Sequence, residues 1–244
     1  MNFIYPKCII MTNINNEKKF LSNIEKAGRV CYKSENKITD DSYRKFIKNA
    51  IKLGHHSIIE HQYITVKFIV NRGILAEITR HRLANYSVES TRYCKYNNDD
   101  MTYVIPLWAT NILEGKYDDL NDAMKKIKCL APCEREYISI LEDISDSYDN
   151  LTVEYEWKAE MARDILPNAL KTEIVMTANL REWRHILDLR TTQCCHPQMK
   201  ELMFPLLEEF NKKLPTIFED VYSKKIDEYK NKKYNTKIKY DLGE

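Results

Sequence analysis

The stretch Gln62-Tyr63-Ile64-Thr65-Val66-Lys67-Phe68-Ile69-Val70 decides the fold class. Ile64, Val66, Phe68 and Val70 alternate with Tyr63, Thr65 and Lys67, a period of two that marks a β-strand. Working outward, residues 3–11 read as a strand carrying the apolar run Cys8, Ile9, Ile10 and Met11. Residues 169–178 read as another, and 102–107 as a possible further one. The rest reads mainly as helix: 15–33, then 40–53 with Thr39 and Asp40 as candidate caps, then 74–83 after Gly73. A polar stretch at 96–100 follows, and 108–131 is weakly patterned and helical in part. Across 134–166, Tyr137, Leu141, Ile144, Tyr148, Leu151, Tyr155 and Ala162 recur mostly three and four apart. That spacing predicts one long amphipathic helix, stopped by Pro167. Asn179 caps a helix to about residue 189, with Glu182 at the capping-box position. Helices at 198–213 and 215–231 close the fold. The lysine-rich tail 224–239 reads as a solvated helix end or a frayed terminus before a nucleic-acid arm. Strands and helices mix without regular βαβ alternation, so the class is α+β and not a doubly wound sheet. With no repeat and no linker, the expectation is one catalytic domain over 1–244, with 225–244 as tail.

Composition narrows the function. The 244 residues are 43% hydrophobic and 30% charged, with a net charge of only +2. That is the balance of a soluble globular protein, and no overall field draws it to nucleic acid or anionic lipid. Any anion must be bound locally. No apolar run is long enough to span a membrane, and the N-terminus lacks the basic leader and cleavage site of a signal peptide. Seven scattered cysteines read as free thiols in a reducing cytosol. Cys129 and Cys133 lie four apart without a second pair, so no zinc site is expected. The chain has five glycines and neither a dinucleotide-binding nor a P-loop fingerprint.

The densest chemistry lies between Glu77 and Tyr93, where Arg80, His81, Arg82 and Arg92 interleave with Ser87 and Ser90. On a helix, Arg82 falls back among Ile78 and Leu75, while Glu77, Arg80 and His81 point elsewhere. A guanidinium on a buried stripe is costly unless an anion meets it, and its planar fork suits phosphate. The segment therefore reads either as a pocket for a phosphorylated small molecule or as a salt-bridged surface helix with Glu77 pairing His81. Arg80, His81 and Arg82 fan around the helix axis, which implies that they cannot all serve one pocket of one chain. Arg190 alone reads equally as a cation facing a helix dipole. His55, His56, Glu60 and His61 match neither HExxH nor HxxEH, because position 57 is Ser57, so no metal centre is expected.

Arg80-His81-Arg82, seven residues, then Ser90, with Arg92-Tyr93 following, resembles the signature of the flavin-dependent thymidylate synthases. Gly54-His55-His56-Ser57-Ile58-Ile59-Glu60-His61, Ala162-Arg163-Asp164-Ile165-Leu166-Pro167, Asn179-Leu180-Arg181 with His185 and Leu189-Arg190, and His196-Pro197-Gln198-Met199 are similar to family segments in the same order. The likeness spans roughly 3–215, weaker over 100–160. It implies a mostly antiparallel sheet flanked by helices, assembled as a cytoplasmic homotetramer with active sites between subunits. It also implies reductive methylation of dUMP to dTMP, with methylenetetrahydrofolate as one-carbon donor and FAD, reduced by NADPH, as hydride carrier. No nucleic-acid substrate and no membrane are implied. By resemblance, Ser57, Arg80, His81, Arg82, Asn179, Arg181 and His185 serve FAD. Glu77, Arg80, Ser90, Arg92, Arg163 and Arg190 serve dUMP, with Arg190 as catalytic residue. Cys94, Cys194 and Cys195 then read as structural or incidental, and Ser90 as a binding group. Two departures stand out: Val88 replaces a glutamate or glutamine common two before the motif serine, and Gln193, Cys194 and Cys195 replace small residues.

Overall fold

The computed structural model describes residues 1–97, 101–230 and 239–241. Its largest sheet has five strands in the order β4-β7-β3-β2-β8. These are β2 (Lys7–Ile10), β3 (Tyr63–Asn71), β4 (Ala84–Val88), β7 (Lys171–Asn179) and β8 (Lys239–Asp241). All neighbours run antiparallel except β2 and β8. A smaller sheet, ordered β5-β1-β6, holds β1 (Asn2–Ile4), β5 (Thr102–Val104) and β6 (Gly115–Lys116). The α+β class with a mostly antiparallel sheet holds.

Strand β3 shows why. Ile64, Val66 and Phe68 are fully buried and Val70 nearly so. In register they face Ala178, Met176, Ile174 and Thr172 of β7. That common face packs on α7 (Leu180–Arg190), α8 (Pro197–Lys213) and α9 (Pro215–Lys230), and on α1 (Glu17–Val30) and α2 (Ser42–Lys52), in one apolar cluster. Trp183 sits at its centre, fully buried, its indole N–H donating to the Ile64 carbonyl at 2.9 Å and its ring edge-on to Phe210. A second cluster, around Phe3, Tyr103, Ile138 and Tyr148, joins the small sheet to α4 (Leu120–Lys126) and α5 (Pro132–Asp149).

Several expectations need correction. The strand expected at 3–11 breaks at Pro6, which has no N–H for a ladder, and its two halves join different sheets. The helix expected at 74–83 is α3 (Arg72–Ile78), capped by Asn71. It stops because the Thr79 hydroxyl bonds back to the Leu75 and Ala76 carbonyls, and the Tyr86 hydroxyl caps the carbonyls of Ile78 (3.0 Å) and His81 (2.6 Å). Arg80, His81 and Arg82 therefore lie beyond the helix, and Arg82 is exposed, not on a buried stripe. The helix expected across 134–166 ends at Asp149. Thr152 bonds back to the Tyr148 carbonyl in a π-turn, Glu156 takes a positive φ of 53°, and only a short α6 (Ala159–Ala162) and a 3₁₀ turn follow. Edge strand β4 escaped the sequence reading because its faces are mixed and largely exposed. Helix α9 runs to Lys230, and residues 239–241 add a strand beside β2 where a helical or frayed tail was expected. The rest of that tail and residues 98–100 lie outside the described residues.

Replacing Trp183 with alanine should destabilise the protein by about 3–5 kcal/mol, the usual cost of an emptied aromatic site in a core. Urea unfolding checks this, and a loss under about 1 kcal/mol would show that the centre of the cluster lies elsewhere.

Candidate active site

Two strands end in asparagines that start helices. Asn71 closes β3 and its side chain accepts from the Ile74 N–H at 2.8 Å; Asn179 closes β7 and accepts from the Glu182 N–H at 2.9 Å. Helices α3 and α7 are thereby aimed, and their far ends meet. Arg190, in the last turn of α7, donates from one terminal nitrogen to Glu77 Oε2 at 3.0 Å. Its other terminal nitrogen donates to the Glu77 carbonyl at 3.1 Å, and its Nε to His81 Nε2 at 2.9 Å. The pair is half-buried, with side-chain exposures of 16% for Arg190 and 28% for Glu77. Charge-assisted bonds in such surroundings are stronger than in water. The surface-helix alternative, with Glu77 pairing His81, does not hold: Glu77 holds Arg190 and also lies 4.0 Å from His196 Nδ1.

His81 is buried, 4.0 Å from Glu182 Oε1 through Nδ1 and edge-on to His185. Burial, then the positive Arg190, then His185 lower its pKa to about 4. Burial, then Glu182, push the Tyr86 phenol up to about 12, so it keeps the proton that caps α3. Burial raises the Cys195 thiol against the pull of the adjacent Arg190.

Beside this network opens a cleft of about 1350 Å³. Arg80, His81, Arg82, Asn179, Arg181 and His185 all line it, so the three residues of the motif do share one cleft of one chain, contrary to the fan expected on a helix. The turn beyond Ile78 is what lets them. Arg181 is paired with Glu60 and Arg184 with Asp220, whereas Arg80 and Arg82 have no ion-pair partner among the described residues. Ser57 sits on the 3₁₀ turn His56–His61 beside the cleft but does not line it. Ser90, Arg92 and Arg163 are not brought to the cleft either. Arg92 lies over the Tyr93 ring and reaches Glu160 of α6 at 3.5 Å, and Arg163 begins the turn after α6. Val88 is exposed at the end of β4. Glu89 cannot take over from it, because Tyr96 and Lys171 each donate to its carboxylate at 2.7 Å.

Residues to which the sequence assigned no ligand complete the site. Glu60, Glu182 and Lys224 line the cleft. Trp108 stacks edge-on against His196 over a smaller pocket of about 310 Å³ that also touches Glu77. Glu182 was read only as a cap, and no periodicity singles out Trp108. Among the described residues, no three His, Cys, Asp or Glu side chains converge as a metal site, and no helix is long and apolar enough to cross a membrane.

Residues 14–216 match the model of the thymidylate synthase complementing protein family. The chain belongs to that family. Curated relatives include the flavin-dependent thymidylate synthase of Mycobacteroides abscessus, 29% identical over 81% of this chain and 78% of the relative. That of Corynebacterium diphtheriae is 28% identical over 81% and 77%. Among solved structures, thymidylate synthase X from Helicobacter pylori, with FAD and dUMP, superposes with a TM-score of 0.65 at 20% identity, covering 89% of this chain and 99% of that one. The UMP/dUMP methylase PolB from Streptomyces cacaoi, bound with 5-Br dUMP, gives 0.67 at 21%, covering 92% and 97%. These two likenesses bear out the fold.

The His81 environment predicts a pH effect on stability. The folded imidazole titrates near 4 and an unfolded one near 6.5. Between these values the unfolded chain binds more protons, so stability falls as pH drops through that window and is unaffected above it. Urea midpoints of wild type and His81→Gln should converge as the pH falls from about 6.5 to 4. A constant difference would mean that the buried ring protonates freely.

Proposed function

We propose that this protein is a flavin-dependent thymidylate synthase that methylates dUMP to dTMP, with methylenetetrahydrofolate as one-carbon donor and FAD reduced by NADPH. The observation that carries this is the Arg190 guanidinium, clamped by Glu77 and His81 beside a cleft that contains two arginines without carboxylate partners among the described residues. Phosphate-bearing ligands suit free guanidinium forks. The cleft of about 1350 Å³ has room for a dinucleotide-sized cofactor, and ordinary small-molecule pockets are about 300–1,000 Å³. The residue types fit the flavin assigned to Arg80, His81, Arg82, Asn179, Arg181 and His185. When bound, that group supplies the hydride that completes the methyl group.

Arg190 contributes the electrostatic part. Facing the N3/O4 edge of a uracil, its charge would stabilise the negative charge that develops as C5 becomes nucleophilic. Its anchors hold it in place before the reaction, so little reorganisation is needed. The remaining dUMP-assigned residues, Ser90, Arg92 and Arg163, do not line this cleft; Arg92 reaches Glu160 of α6 and Arg163 begins the turn after it. We read this as two half-sites completed by another copy of the chain in a homotetramer. Exposed Tyr93, Tyr155, Trp157 and Met161 on and around α6 support that reading, since such apolar surface suits an interface. The seven free thiols suit a cytoplasmic location.

The decisive assay is anaerobic. Flavin reduced on the enzyme should reoxidise with formation of dTMP only when dUMP and methylenetetrahydrofolate are both present; a flavin that stays reduced with both substrates and reoxidises only once oxygen is admitted, with no dTMP, would indicate an oxidase. Arg190→Ala should lower turnover about 10²–10³-fold, as the loss of such a donor does elsewhere, while flavin stays bound. Unchanged turnover would remove Arg190 from the chemistry. Gel filtration should show an assembly of four chains, and full activity in a monomer would overturn the half-site reading.

A further inference from the structure

We propose that His81 is the positioning residue for Arg190: its Nε2 lone pair receives the guanidinium Nε–H, and Glu182 behind the ring favours the proton on Nδ1. The proposal rests on the reading of Arg190 as the activating group, and it separates His81 from the two arginines that flank it in the motif. Arg82 and Arg80 are exposed to the cleft, whereas the His81 side chain is only 5% exposed and turned inward.

The proton inventory leaves one arrangement. Arginine keeps its protons in proteins, so Nε can only donate. At 2.9 Å from it, His81 Nε2 must be a bare acceptor, and a neutral ring then carries its proton on Nδ1. Nδ1 faces the buried Glu182 carboxylate at 4.0 Å, a charge that favours this tautomer. The other groups around the ring are few. Helix α7 presents His185 at a centroid distance of 6.5 Å, and Glu77 of α3 lies across Arg190. From β4, the Tyr86 hydroxyl holds the His81 carbonyl at 2.6 Å and so fixes the backbone that carries the ring. Burial, then the positive Arg190, then His185 lower the imidazole pKa to about 4, so it stays an acceptor near neutral pH. A charged ring would oppose an N–H to an N–H and two cations to each other.

The consequence is geometric. Both other anchors of the guanidinium belong to Glu77, one to its carboxylate and one to its carbonyl. Of these three bonds His81 supplies the one from outside that residue, the Cys195 sulfur being a further neighbour of the guanidinium, and with His81 the plane is held by two separate chain segments. Each terminal nitrogen keeps one further N–H beyond these three bonds, directed by that plane, with the Cys195 sulfur as a hydrogen-bond partner beside them.

Two measurements test this. In enzyme labelled with ¹⁵N-histidine, the resonance that responds to Arg190→Ala should report a neutral ring with its proton on Nδ1 at pH 6. A proton on Nε2, or a charged ring, overturns the proposal without any assay of turnover. In the flavin-loaded enzyme, His81→Asn, whose amide stops at the Nδ1 position, should lower kcat for dTMP formation about 10–100-fold with little change in KM for dUMP, the usual effect of losing a charged hydrogen bond. His81→Gln, whose amide oxygen reaches the Nε2 position, should restore turnover to within a few-fold. In an Arg190→Ala background the two variants should be indistinguishable. Equal losses in both variants that track their flavin content would make His81 a flavin ligand only. An enzyme that forms no dTMP at all would sink the functional reading and leave the imidazole spectrum to decide the contact.

Discussion

The antiparallel pairing of β3 with β7 is the constraint on which the molecule depends. The register runs unbroken from Tyr63 opposite Asn179 to Asn71 opposite Lys171. Each strand buries alternate side chains on the same face, and each ends in an asparagine whose side chain satisfies the first free N–H groups of the next helix. Because the strands run in opposite directions, α3 and α7 depart from opposite ends of the pair. Helix α7 has 11 residues, roughly 16 Å of rise, and it doubles back along the sheet far enough for its last turn to meet α3. The contact between Arg190 and Glu77 is thus set by strand register and helix length together.

Electrostatics follow from that meeting. The chain is nearly neutral, and most of its interior or half-buried cations are matched, Arg29 with Glu25, Lys171 with Glu89 and Glu173, and Arg184 with Asp220. Arg80 and Arg82, unmatched among the described residues, depart from this pattern in a wide cleft, where such charge is tolerable only because water reaches it or an anion fills it. Arg190 is intermediate: half-buried, held by a carboxylate, and kept in one plane by a neutral imidazole. One turn of chain after α3 therefore supplies both the free guanidinium groups and the group that orients the clamped one. The turn exists because Thr79 and Tyr86 consume the helix-end carbonyls that a continuing helix would have used.

Much of the scaffold was legible. Period-two alternation located β3, the strand read at 169–178 is β7, and the Asn179 cap located α7 within a residue. Local rules failed where competing bonds come from remote residues or from single atoms. Pro6 divides a strand between two sheets, Thr152 and Glu156 end a helix whose spacing continues through them, and β4 is a strand only because β7 offers it a partner. The site was legible as residue types: the arginines and histidine of the motif, Asn179, Arg181, His185, Glu77 and Arg190 all lie around one cleft and its adjoining network.

The sequence by itself determined the class of fold, the family motif and the identity of the charged groups, because strand period, caps and side-chain chemistry are local properties. Only the tertiary structure decided that Arg82 is exposed, that Arg190 rests on Glu77 and His81, and that Ser90, Arg92 and Arg163 do not line the cleft of Arg80 and Arg82. Those outcomes depend on where a helix stops and which residue more than a hundred positions away lies within 3 Å. Such distances are fixed by packing, and no window of sequence contains them.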